Sequence, residues 1–145
     1  MKRTFGLLLA VVAAGSLVTA SSARNGVEHS TPHSGRLHVK KECSQYTGKA
    51  GSFCTITSSN LENIAVGSKI VYATPDPGND SDLTVYSNGA KAFGHVIMDL
   101  TTGIGTVKFS GGTGSLKGFK AILVVRPIGD PAKTPNWRWD GNYSY

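Results

Sequence analysis

From Leu37 to Tyr145 the chain breaks into short segments that alternate apolar and polar residues, each ended by a turn residue. The last segment shows this most plainly. Arg138, Asp140 and Asn142 fall on one side of it, and Trp137, Trp139, Tyr143 and Tyr145 on the other. A period of two belongs to an extended strand with one buried face. A slip of one residue would bury the charges, so the pattern also fixes the register. The same parity turns Phe119, Ala121, Leu123 and Val125 inward, with Lys120 and Arg126 outward, and turns Val107 and Phe109 inward against an outward Lys108.

Eight such segments are present: Leu37–Cys43, Phe53–Ser58, Lys69–Ala73, Leu83–Tyr86, Ala92–Leu100, Gly105–Ser110, Phe119–Arg126 and Trp137–Tyr145. In the first, Leu37 and Val39 share one side and His38 and Lys40 the other. Asn88-Gly89 is a hairpin turn signal, and the dense loop signal from Pro75 to Asp80 separates the third and fourth segments. No stretch of ten residues after the N-terminal region carries a helical period. Short strands with Gly-rich turns predict an all-β chain, and eight of them fit a small closed antiparallel barrel. Such a barrel has just enough interior for side chains or one small ligand. The fifth segment is apolar on both faces: Phe93, His95, Ile97 and Asp99 on one, Val96, Met98 and Leu100 on the other. One face is expected on the barrel core and the other against something else, such as another subunit.

The first 23 residues carry the layout of a secretory signal. A basic start at Lys2 and Arg3 is followed by an apolar run from Phe5 to Val18, then by two small-x-small cleavage patterns ending at Ala20 and Ala23. The run is shorter than a membrane-spanning helix needs. Residues 24–35 are polar and read as a leader, which leaves 36–145 as one barrel domain. Cleavage leaves a mature chain that is secreted or periplasmic, with no membrane attachment. It removes two of the 15 basic residues and none of the 9 acidic ones, so the net charge falls from +6 to +4. The remaining basic residues are scattered rather than gathered into a stripe, which argues against a nucleic-acid partner. A transmembrane barrel would need an uncharged lipid-facing band, and the outward Lys108, Lys120, Arg126 and Arg138 oppose it. In an exported chain the only two cysteines, Cys43 and Cys54, are expected to form a disulfide across a hairpin.

The stretch from Gly105 to Gly118 holds five glycines and invites a phosphate-loop reading. Its spacing fits neither the Walker loop nor the dinucleotide loop, and it runs into an alternating strand rather than a helix N-terminus. Turn geometry and a bend in the sheet account for the glycines. Phe109-Ser110-Gly111-Gly112-Thr113-Gly114-Ser115-Leu116-Lys117-Gly118-Phe119, with the apolar strand and the closing aromatic strand after it, resembles the C-terminal half of the allene oxide cyclase and dirigent barrel superfamily. The likeness extends over Ala92 to Tyr145 and is weaker from Leu37 to Tyr86. It fits the small exported bacterial members, and departs at Leu116, where the plant proteins more often carry Phe. The resemblance implies an eight-stranded antiparallel barrel with a hydrophobic cavity, often assembled as trimers. It carries over no activity, because the plant enzymes' catalytic carboxylates match no particular positions here.

Candidate chemistry is sparse. Glu28, His29, His33 and His38 make no convincing metal set, and neither a metal nor a cofactor is expected. His95 is the best catalytic candidate: turned inward, its imidazole would orient a ligand or move a proton near neutral pH. The competing arrangement is a locally hydrogen-bonded or solvent-facing ring. Tyr72, Tyr86, Phe93, Phe109, Trp137, Trp139 and Tyr143 join His95 as the expected ligand wall, several of them explicable by core packing alone. The leading expectation is a barrel that binds a small, largely apolar molecule. A cyclase-like or dirigent-like enzyme and an interaction barrel with a filled core are the alternatives.

Overall fold

The computed structural model describes residues 33–73 and 80–145. The expected signal, most of the leader and most of the loop before Asp80 lie outside them. Eight strands follow one another: β1 (Ser34–Glu42), β2 (Phe53–Ser59), β3 (Lys69–Tyr72), β4 (Asp80–Ser87), β5 (Ala90–Asp99), β6 (Ile104–Thr113), β7 (Lys120–Pro127) and β8 (Asn136–Ser144). Each pairs antiparallel with the next, and β8 returns to β1, so the sheet closes as an eight-stranded barrel. The closing seam is long, running without a break from Ser34 opposite Ser144 to Glu42 opposite Asn136. All eight expected strands are present, and β1 begins two residues before the expected domain boundary.

The alternation read from sequence sets the faces of the later strands. Val107, Phe109, Ala121, Leu123, Val125 and Trp139 are buried, while Lys108, Lys120, Arg126 and Arg138 are exposed. The β4–β5 turn is made by Asn88 (φ 49°) and Gly89 (φ 78°), the left-handed pair that a two-residue hairpin requires. In the glycine stretch, β6 continues through Gly111 and Gly112, a single turn of 3₁₀ helix covers Gly114–Leu116, and β7 follows. Gly114 and Gly118 have positive φ. The register between β5 and β6 shifts where Phe93 faces Gly111 and Gly94 faces Phe109, leaving Ser110 as the extra residue of a bulge. Such a bulge increases the local twist that closure needs.

The middle of the barrel is filled. Phe109 meets Trp139 and Phe119 edge-on, with ring centroids 5.7 and 5.4 Å apart, and all three are fully buried. One end is closed by Leu116 and Ile64, also fully buried, and by Tyr143 and Tyr145 packed on Phe119. Tyr145 there accepts a hydrogen bond from the Asn63 amide at 3.1 Å. Among the described residues, the space that remains lies at the other end.

Candidate functional site

The other end is where β1 leaves the barrel and β8 enters it. The Cys43–Cys54 disulfide forms there, joining the end of β1 to β2 at a sequence separation of 11. It fits an oxidising compartment, extracellular or periplasmic. A cavity of about 190 Å³ opens beside it. Val96, Met98 and Leu100 from β5 and its end, Val125 from β7 and Trp137 from β8 supply an apolar wall; Tyr46, Tyr72, Ser81, the disulfide and the carboxylate of Asp80 also line the cavity. An apolar cavity of about 150 Å³ can hold a benzene molecule. The space here therefore admits a ligand of that size or a little larger.

The cavity also carries a lysine. Lys41 is only 4% exposed. Its burial follows from its place on β1: residues 37, 39 and 41 share parity, and turning Lys41 outward would expose Leu37 and Val39, both buried. Its neighbours across the ladder are Ile56 on β2 and Trp137 on β8. On the β2 side a register shift between Lys40 and Lys41 leaves Thr57 as an extra residue, which keeps Ile56 opposite Lys41. Lys41 Nζ donates a hydrogen bond to Tyr72 Oη at 2.7 Å. It also lies 4.6 Å from the centre of the Trp139 ring and 5.4 Å from that of Tyr72, positions in which an aromatic face attracts a cation. No carboxylate lies within 4 Å of it among the described residues.

These surroundings act on both protons. Burial brings the Lys41 ammonium down from 10.5 to about 7, because a charge removed from water is disfavoured. Burial, with a smaller effect from Tyr46, pushes the Tyr72 phenol well above its ordinary value. Tyr72 therefore stays protonated at any physiological pH. Its oxygen also lies 3.7 Å from Cys54 Sγ, which as a disulfide sulfur has no proton to give and can only accept weakly. Among the described residues, the buried Trp139 indole nitrogen beneath the lysine has no hydrogen-bond partner.

The expected wall residues divide into three groups. Tyr72 and Trp137 line the cavity. Phe109 and Trp139 are core, and Tyr143 belongs to the closed end. Tyr86, Phe93 and His95 lie on the outer surface, so the inward orientation considered for His95 is corrected. The reason is that β5 presents Ala90, Ala92, Gly94, Val96 and Met98 to the interior, which leaves the odd-numbered residues outside. His95 Nε2 lies 2.7 Å from Asp80 Oδ1 and its Nδ1 2.8 Å from Asp82 Oδ1, the local, solvent-facing arrangement. His38 likewise bonds Asp140 at 2.8 Å on the outside of β1 and β8, and His33 packs near Tyr143 and Tyr145; Glu28 and His29 lie outside the described residues.

Lys41 is the residue that sequence reasoning passed over. The signal was the parity of β1, which places it on the Leu37–Val39 side, but a lysine near a strand end reads as solvated unless the strand is known to continue. Fold and site together define a closed eight-stranded meander barrel, filled at its centre, with a one-ended apolar cavity and a buried amine. Compared with protein families, curated proteins and solved structures, the chain shows no significant match.

Proposed function

We propose that this chain is an exported barrel protein that binds a small, largely apolar molecule in the cavity at its β1–β8 mouth, and that it is of the allene oxide cyclase and dirigent type. One observation carries the reading. The lumen is packed at its centre and closed at one end, yet about 190 Å³ remains at the other, walled by Val96, Met98, Val125 and Trp137. Ligand sites are concave and mostly apolar, with a few placed polar groups, and the Lys41–Tyr72 pair supplies those groups here. The Phe109–Phe119 turn and the closing aromatic strand support the superfamily type. Native mass spectrometry of protein purified from its own host tests the reading, with a co-purifying small molecule expected. Replacing Val96 by Trp fills the cavity and should abolish that mass. Retention of the ligand by V96W would refute the site.

A second reading concerns the outer wall. Phe93, Ile97 and Ile122 are 42%, 53% and 62% exposed on β5 and β7, where a soluble monomer usually keeps large apolar side chains scattered. They favour a second copy of this chain as partner, in line with the trimers of the resembled superfamily. Sedimentation of the mature chain should show an assembly that Ile97→Lys dissociates. A monomer at micromolar concentration would refute it.

A further inference from the structure

The amine in the cavity narrows what the cavity can hold. Lys41 Nζ sits in a largely apolar cavity that Asp80 and Ser81 also line; it has one hydrogen-bond partner, Tyr72 Oη, and no carboxylate within 4 Å among the described residues. With its affinity for a proton lowered by burial to about 7, a large share of the amine carries a free lone pair at neutral pH. A desolvated lysine of this kind is a nucleophile toward carbonyl carbon. The phenol beside it is kept protonated by its own burial and can give and retake a proton without meeting bulk water.

We infer that Lys41 captures a small apolar aldehyde or ketone in this cavity as a reversible Schiff base, an inference that rests on the cavity-binding reading and names its ligand class. The Nζ lone pair attacks the carbonyl carbon, the new C–N bond forms, and the carbonyl π pair moves onto oxygen. That oxygen takes up the proton that nitrogen sheds, giving a carbinolamine. Tyr72 then protonates the hydroxyl, the C–O bond breaks, and water leaves as the nitrogen lone pair forms the C=N bond. The Tyr72 phenolate recovers the proton from the iminium nitrogen. One amine and one carbonyl become one imine and one water, and no oxidant or reductant is consumed. The apolar wall disfavours the returning water, and the size of the cavity limits the carbonyl compound to about the bulk of benzaldehyde.

The mature chain, treated with benzaldehyde and sodium cyanoborohydride at neutral pH and mapped by peptide mass spectrometry, tests this. The reduced adduct is expected on Lys41 at least about tenfold faster than on Lys108 or Lys120, which stand exposed on the outer wall with no cavity to hold the aldehyde. Lys41→Arg should lose it, with Lys41→Met as the second variant if the first fails to fold. Tyr72→Phe should slow trapping by clearly more than it weakens the binding of benzyl alcohol, which cannot form an imine. Benzyl alcohol binding is read by methyl NMR shifts of Val96 and Met98. If benzyl alcohol binds but the adduct spreads evenly over the surface lysines, the Schiff base falls and the cavity reading stands. If benzoate binds more tightly than benzaldehyde, Lys41 acts as a cation holding a carboxylate, and the inference is likewise overturned. If neither benzyl alcohol nor benzaldehyde binds, both readings fall.

Discussion

The pH dependence of folding stability should carry the signature of Lys41. In the unfolded chain its amine titrates near 10.5, and in the folded protein near 7. Between those values the unfolded state holds a proton that the folded state does not, so stability rises as pH rises. Below about pH 7 both states are charged and the cost of burying the ammonium is felt in full. Above about pH 10.5 both are neutral and the cost is gone. The slope is at most about 1.4 kcal/mol per pH unit, so the climb from pH 7 to pH 10 is roughly 4 kcal/mol. Tyr72 opposes it further up. Its folded pKa is raised, so above about pH 10 the unfolded chain releases a proton that the folded protein keeps, and stability falls again. The expected curve is low and level in weak acid, climbs through the neutral range and peaks near pH 10.

Urea unfolding followed by tryptophan fluorescence, at constant ionic strength and with the disulfide intact, measures this curve. Lys41→Met keeps an unbranched side chain of similar reach without the charge. It should lack the climb, and should be more stable than the parent at pH 6 by a few kcal/mol. That gain is the relief of an unpaired buried charge less about 1 kcal/mol for the lost hydrogen bond to Tyr72. By pH 10 the two proteins should converge. A parent curve that stays level from pH 7 to pH 10, or an equal climb in K41M, would refute the placement of Lys41 inside the barrel.

Other substitutions probe the frame around the cavity. In Gly94→Ala the new Cβ would stand 2.9 Å from Phe109 Cδ1 and 3.2 Å from Leu83 Cδ1, both in the core, so a loss of about 1–3 kcal/mol is expected in denaturant titration. Replacing Cys43 and Cys54 together by Ala should cost about 3 kcal/mol, chiefly through the freed unfolded chain, and a loss below about 1 kcal/mol would contradict a disulfide in the native fold. His95→Ala removes only exposed contacts to Asp80 and Asp82. It should change stability by no more than about 1 kcal/mol and leave benzyl alcohol binding intact; a lost ligand would restore His95 to the site.

The strands were legible because their chemistry is local. Arg138, Asp140 and Asn142 against Trp137, Trp139 and Tyr143 admit one register in a half-buried strand, and Asn88-Gly89 admits one kind of turn. Cys43 and Cys54 were paired by composition and compartment alone. From those the barrel and most of its inward residues followed. The interior of β5 did not. Phe93 and Ile97 are as apolar as Val96 and Met98, so alternation separates two faces without saying which is inside. Packing decides it: Gly94 is the residue that Phe109 can lie against, and that contact exists only once β5 and β6 pair across their bulge. Lys41 was hidden for a related reason. Its parity was readable, but its burial comes from Trp137, Trp139 and Tyr72, which reach it only when β8 closes on β1 and β3 curves round behind. The sequence by itself determined the strands, the wet and dry sides of all but β5, and the disulfide, since each depends on neighbours along the chain. Closure of the barrel decided where space remained and which amine lost its water, since both depend on residues about a hundred positions apart.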